Sequence, residues 1–146
     1  MNILTAIDFF DSTDRIITVT RNLALATNAT VRLVHVAEPE PDFVGYGGGP
    51  NEVRDQIAVE FQREHNELQT LSAQLRDVGI DASALVVQGP IAETILSQAK
   101  SHATDLIIVG SHGHGAVYDI LVGSISEGVI RKSNIPVTIV PVSDTD

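Results

Sequence analysis

Asp105-Leu-Ile-Ile-Val-Gly110-Ser-His-Gly113-His-Gly-Ala-Val-Tyr-Asp-Ile-Leu-Val-Gly123-Ser124-Ile-Ser-Glu127 reads as a strand, a glycine-punctuated loop and the start of a helix. The continuous β-branched run is what a sheet buried on both faces requires. Ser124 followed three residues later by Glu127, ahead of Val129 and Ile130, predicts a capping box. The first turn of a helix leaves backbone N–H groups without intrahelical partners, and the aligned peptide dipoles place partial positive charge at that end. Glycines permit close approach of main chain to a ligand. The spacing Gly110-x2-Gly113-x9-Gly123-Ser124 therefore predicts an anion cradle, and it matches neither G-x-x-x-x-G-K-[ST] nor G-x-G-x-x-G.

The flanking sequence repeats the strand–helix theme. Residues 2–7 form a short β-rich run, after which Asp11-Ser12 offers an N-cap to a helix carrying Ile16, Val19, Leu23 and Ala26 on one face. Residues 30–36 make a second strand, closed by prolines at 39 and 41; residues 38–50, rich in glycine, read as a loop. A long helix over 51–78 has Ile57, Phe61, Leu68, Leu71, Leu75 and Val78 as its expected buried stripe, and Gly79 ends it. Residues 82–88 are a third strand, and Gly89-Pro90 opens a helix with Ala92, Ile95, Leu96 and Ala99 facing inward. Pro136-Val-Thr-Ile-Val-Pro141 is a last strand whose prolines suit a sheet edge. Five strands alternating with four helices predict an α/β fold with a five-stranded parallel sheet and helices on both faces. Its length fits one domain over 1–142, followed by an acidic tail at 143–146.

These landmarks, in this order, resemble the nucleotide-binding branch of the universal stress protein family. The likeness covers the whole chain: Ile3-Leu-Thr-Ala-Ile-Asp8, Leu33-Val-His-Val36, Gly89-Pro-Ile-Ala-Glu93, the glycine loop, and Ser133-Asn-Ile-Pro136-Val-Thr-Ile-Val-Pro141. The resemblance implies a doubly wound, Rossmann-like sheet of strand order 3-2-1-4-5, with the ligand crevice at the switch between strands one and four. It implies a loop, Gly110, Ser111, His112, Gly113 and His114, that wraps the ribose and phosphates of ATP, ADP or AMP. It places Gly123, Ser124, Ile125 and Ser126 at the phosphates, Ala6 and Asp8 beside the nucleoside, and Val36 against adenine. A homodimer through the C-terminal strand is likewise implied. The chain departs from the family at Phe9-Phe10 after Asp8, and at His114, where relatives often carry Lys or Arg.

Composition narrows the partners. Nineteen acidic against nine basic residues, a net charge of −10, argue against nucleic acid or an anionic membrane, both of which reward clustered Lys and Arg. No apolar run reaches the about 18 residues of a membrane span, and the N-terminal residues lack a basic leader, so a cytoplasmic location is expected. Having no cysteine excludes disulfides and thiol nucleophiles. His112-Gly-His114 lacks the further ligands a transition metal needs, and Ser97-x-x-Lys100 lacks the companion motifs of acyl-enzymes. From Ser101 to Ile130 there is no Lys or Arg, so a triphosphate there calls for a bridging cation such as Mg²⁺ and turnover is expected to be slight or absent. The expected function is a nucleotide-dependent switch in stress response. Its alternatives are an interaction module of the same fold without nucleotide, and a slow nucleotide hydrolase or transferase.

Overall fold

The computed structural model describes residues 1–10, 12–37, 50–111 and 123–141. The elements run β1 (Asn2–Ala6), α1 (Thr13–Thr27), β2 (Thr30–Ala37), α2 (Pro50–Asp77), β3 (Ala82–Gln88), α3 (Ile91–Ser101), β4 (Leu106–Gly110), α4 (Ser124–Lys132) and β5 (Val137–Val140). All strand pairs are parallel, and the order is β3-β2-β1-β4-β5. The expected sheet and topology are thus observed, with β5 at one edge.

Strand alternation divides the core in two. Ile3 and Ile7 of the first segment join Val31, Leu33 and Ile108 beneath Ile16, Leu68 and Leu75 of α1 and α2. Leu4, Val34, Val36, Ile107 and Val109 point to the other face, where Ile95, Ala99 and Val129 of α3 and α4 cover them. Close approach of α3 and α4 relies on Gly128, where a Cβ would lie 3.1 Å from that of Ala92.

Three details of the helices differ from expectation. On α1 the buried residues are Ile16, Thr20 and Ala24, whereas Ala26 is exposed. Thr20 is tolerated inside because its hydroxyl meets that of Thr5 at 3.0 Å. On α2, Leu68 and Leu75 are fully buried, but Phe61 is 39% exposed, and Val78, expected on the same stripe, falls in the turn after the helix and is 45% exposed. A helix of 28 residues is longer than its 8-residue neighbour β2 can cover. At about 1.5 Å per residue for a helix and about 3.3 Å for a strand, α2 overshoots the sheet. Finally, the N-cap of α4 is Gly123, with no side-chain cap, and Glu127 pairs with Arg131 at 2.7 Å; the Ser124–Glu127 capping box does not form.

Candidate functional site at the carboxyl ends of β1, β2 and β4

Parallel pairing sets the level of each strand end. β1 pairs with β2 as Ala6↔Val34, and Ile7 N–H continues the ladder to the Val34 carbonyl at 2.9 Å, which carries Asp8 level with Val36. On its other side β1 pairs with β4, so the end of β1 adjoins Gly110 and Ser111. Of the twelve residues singled out from sequence, Ala6, Asp8, Val36, Gly110, Ser111, Gly123, Ser124, Ile125 and Ser126 lie in described segments at this end of the sheet. His112, Gly113 and His114 lie outside the described residues, as do the tail residues 143–146.

At the β1–α1 corner the Asp8 carboxylate accepts the Phe10 N–H at 3.1 Å. Phe9 between them sits at φ 61°, in the left-handed region that a bulky residue rarely adopts. Burial raises the Asp8 pKa above the usual carboxylate value; the Phe10 and Asp8 N–H groups, the His35 charge and Ser12 pull the other way. Ser12 caps α1 by position without a side-chain cap bond. Its Oγ is buried and has no well-formed hydrogen bond despite this proximity.

On the β4 side, Ser111 is buried, its N–H donates to the Val140 carbonyl at 2.8 Å, and its carbonyl accepts the Gly123 N–H at 2.5 Å. Ser126, 2% exposed, donates its hydroxyl to the Gly110 carbonyl at 2.5 Å. These two bonds seat the first turn of α4 directly against the end of β4. Gly123 being the cap, Ser124 is the first helical residue, and its exposed hydroxyl is released from the capping role expected of it. The Ser126 hydroxyl, by contrast, is already engaged, so its main-chain N–H is the group left for a ligand. The peptide groups of Ser124, Ile125 and Ser126 form the first turn, where N–H donors have no intrahelical acceptor and the dipole favours an anion.

Val36, 7% exposed, turns its side chain into the α3/α4 core, leaving its main chain at the crevice. Its neighbour His35 is held by three interactions. The ring Nδ1 lies 2.7 Å from the Ile7 carbonyl, Nε2 lies 3.0 Å from the Glu64 carboxylate, and the Phe9 ring stands 4.7 Å away. A histidine inside the run Leu33-Val-His-Val36 was the available signal, since a buried imidazole needs partners. His65 on α2 is half-buried, and Ser97 and Lys100 are both exposed on α3. Among the described residues no cluster of His, Asp and Glu is arranged to hold a metal, and no helix is long and apolar enough to cross a membrane.

The model of the universal stress protein family matches residues 1–141. Universal stress protein MJ0577 of Methanocaldococcus jannaschii is 37% identical over 90 residues, 62% of this chain and 54% of that relative, so the aligned stretch spans about half of its length. A universal stress protein of Thermus aquaticus is 32% identical over 138 residues, covering 94% of this chain and 96% of its own. The solved structure of MJ0577 superposes with a TM-score of 0.81 at 28% identity, covering 99% of this chain and 97% of that one. Two further solved members share the fold: one in complex with cAMP (TM-score 0.67, 21% identity, 98% of each chain), and one from Archaeoglobus fulgidus in complex with dAMP (TM-score 0.65, 22% identity, 95% and 96%). The match over nearly the whole length, on a sheet of the same order, establishes that the chain belongs to the universal stress protein family.

Proposed function

We propose that this protein binds an adenine nucleotide, ATP or AMP, at the carboxyl ends of β1, β2 and β4, and that it serves as a nucleotide-dependent switch with little or no turnover. The observation that carries the reading is the anchoring of the α4 N-terminus to β4 through Gly123 N–H and Ser126 Oγ. It presents first-turn N–H donors that have no intrahelical acceptor beside the crevice that also receives Asp8 and the Val36 main chain. Complexes of two family members with cAMP and dAMP support an adenine nucleotide as the ligand class.

In this reading the peptide N–H groups of Ser124, Ile125 and Ser126 take phosphate oxygens, Asp8 accepts a ribose hydroxyl, and the loop residues His112, Gly113 and His114 complete the enclosure. A helix end contributes only about 0.3–2 kcal/mol toward an anion, and the sequence from Ser101 to Ile130 supplies no Lys or Arg. Mg²⁺ held by the phosphates supplies the remaining neutralisation. The protein acts in the cytoplasm as a homodimer, with β5 pairing to its copy, because an open edge strand favours pairing with another chain.

Calorimetry of ligand-free protein with ATP, ADP and AMP tests the reading. At a hundredfold excess over Kd, a ligand confined to the native state adds about 2.7 kcal/mol of stability. Gly123→Val, which puts a β-branched side chain at the approach to the α4 first turn, is expected to abolish that gain. Absence of binding by all three nucleotides refutes the switch, and parent-like binding by Gly123→Val refutes the placement of the phosphates.

A further inference from the structure

His35 stands between two acceptors. The Ile7 carbonyl can only accept, so the hydrogen on that side belongs to Nδ1, and the 2.7 Å contact is Nδ1–H donated to oxygen. On the opposite edge Nε2 meets a Glu64 carboxylate oxygen at 3.0 Å. A lone pair cannot face a carboxylate at that distance. The contact therefore needs one further proton, on Nε2 or on Glu64. Side-chain exposures of 11% and 17% keep water from substituting freely for the missing donor.

The place of this contact gives it consequence. His35 belongs to β2, Glu64 to α2, and Ile7 immediately precedes Asp8, so one ring ties three segments together at the ligand end of the sheet. The Phe9 ring, held by a backbone at φ 61°, leans on the same imidazole. Among the described residues, other charges facing the ring are few. Asp8 faces it from the β1–α1 corner and Glu60 from one turn earlier on α2, where Arg63 pairs with both Glu60 and Glu67. β3 places the apolar Val86 level with His35.

We propose that His35 and Glu64 form a single-proton clasp that positions the β1–α1 corner, and that nucleotide binding at Asp8 is coupled to that proton. His35 is thus a positioning residue acting through Ile7 and Asp8, and the coupling rests on the nucleotide site proposed above. With the proton present, the ring holds the Ile7 carbonyl and Glu64 together, and with that proton on Nε2 it lends positive charge to the Asp8 carboxylate. When the proton leaves, the Nε2 lone pair and the carboxylate repel, the ring lets go of one partner, and the corner loosens. Tighter nucleotide binding in mild acid than in mild base follows.

Nitrogen-15 NMR of the His35 ring and of the amides of Ile7, Asp8, Phe9 and Phe10, across about pH 5 to 9, tests the clasp without any nucleotide. The expected result is an Nδ1–H ring whose protonation change moves the corner amides in step. Glu64→Gln, whose amide donates to a neutral Nε2, is expected to hold the corner fixed over the same range. Corner amides indifferent to the ring's titration overturn the proposal, and parent spectra alone settle this should the variant fail to fold. ATP affinity provides the second readout. The parent is expected to lose about fivefold or more between mild acid and mild base, the low end of ordinary coupling energies, and Glu64→Gln to lose distinctly less. Equal losses in parent and variant overturn the coupling and leave the nucleotide's own phosphate as the titrating group. A clasp confirmed by NMR in a chain that binds no nucleotide overturns the coupling and the proposed function together, whereas a clasp absent in a chain that does bind one overturns only this inference.

Discussion

Ser126→Ala should weaken the protein at the joint where α4 meets β4. The hydroxyl is buried, donates 2.5 Å to the Gly110 carbonyl, and belongs to the first turn of a 9-residue helix. Losing a hydrogen bond while leaving a buried acceptor unpaired costs about 1–3 kcal/mol. Gly110 is only half-buried, so water recovers part of this, and about 1–2 kcal/mol remains as the expected loss. For a domain near 150 residues that corresponds to roughly 2–8 °C in Tm. Urea unfolding is the primary assay, because a shift in midpoint with an unchanged slope reports stability alone. Alanine keeps the peptide N–H and has good helix propensity, so any loss belongs to the hydroxyl rather than to the helix. A midpoint equal to the parent's refutes the reasoning, for it would mean that the bond contributes nothing net and that Gly123 N–H alone seats α4.

Asp8→Asn is expected to stabilise the ligand-free protein at neutral pH. Burial raises the Asp8 pKa, so the native state binds this proton more tightly than the unfolded chain, and stability falls as pH climbs from the usual carboxylate range through the native value. Asparagine removes that penalty, and its advantage in urea midpoint should vanish in acid; a variant less stable than the parent at pH 7 contradicts this. Thr20→Val strands the Thr5 hydroxyl in the core and should cost about 1–3 kcal/mol, while adding Thr5→Val should restore much of it. Additive losses in that double-mutant cycle would show that the two hydroxyls do not interact. Ile139→Lys, on the edge strand, should convert a sedimenting dimer into a monomer with unchanged far-ultraviolet dichroism, and a folded dimeric variant would dismiss β5 as the interface.

The sheet was legible because each strand is a short β-branched run closed by glycine, proline or a helix signal. β3 falls over 82–88 as read, and the bounds of β1, β2, β4 and β5 differ from the reading by about one residue at an end. Helix faces were less legible, since periodicity reports which residues share a stripe but not how far the covered surface extends. Phe61 obeys the period of α2 and is nevertheless exposed, on a helix of 28 residues that is longer than the strands. At the start of α4 the local signal misled for another reason. Ser124 and Glu127 satisfy the spacing of a capping box, yet Gly123 N–H is drawn to the Ser111 carbonyl and Glu127 to Arg131, partners that no window of four residues reveals. The same limit hid the pairing of His35 with Glu64, 29 positions away, which depends on how α2 lies along β2.

Both sides of the crevice are built by one device, a polar side chain committed to a strand-end carbonyl. Ser126 donates to Gly110 at the end of β4, and His35 donates to Ile7 at the end of β1. Strand ends leave carbonyls that the ladder no longer serves, and each bond of this kind fixes the backbone from which the next ligand-facing residue departs. The two differ in what can release them. A serine hydroxyl holds its carbonyl at any physiological pH, so the side proposed for the phosphates is a fixed platform. In the proposed clasp the imidazole holds its carbonyl and Glu64 together only with the extra proton in place, which makes the proposed nucleoside side adjustable. In a chain of net charge −10 with no Lys or Arg between Ser101 and Ile130, the proposed clasp proton on Nε2 would be a locally supplied positive charge beside Asp8, and in that reading regulation of nucleotide affinity falls to the side of the site that carries it.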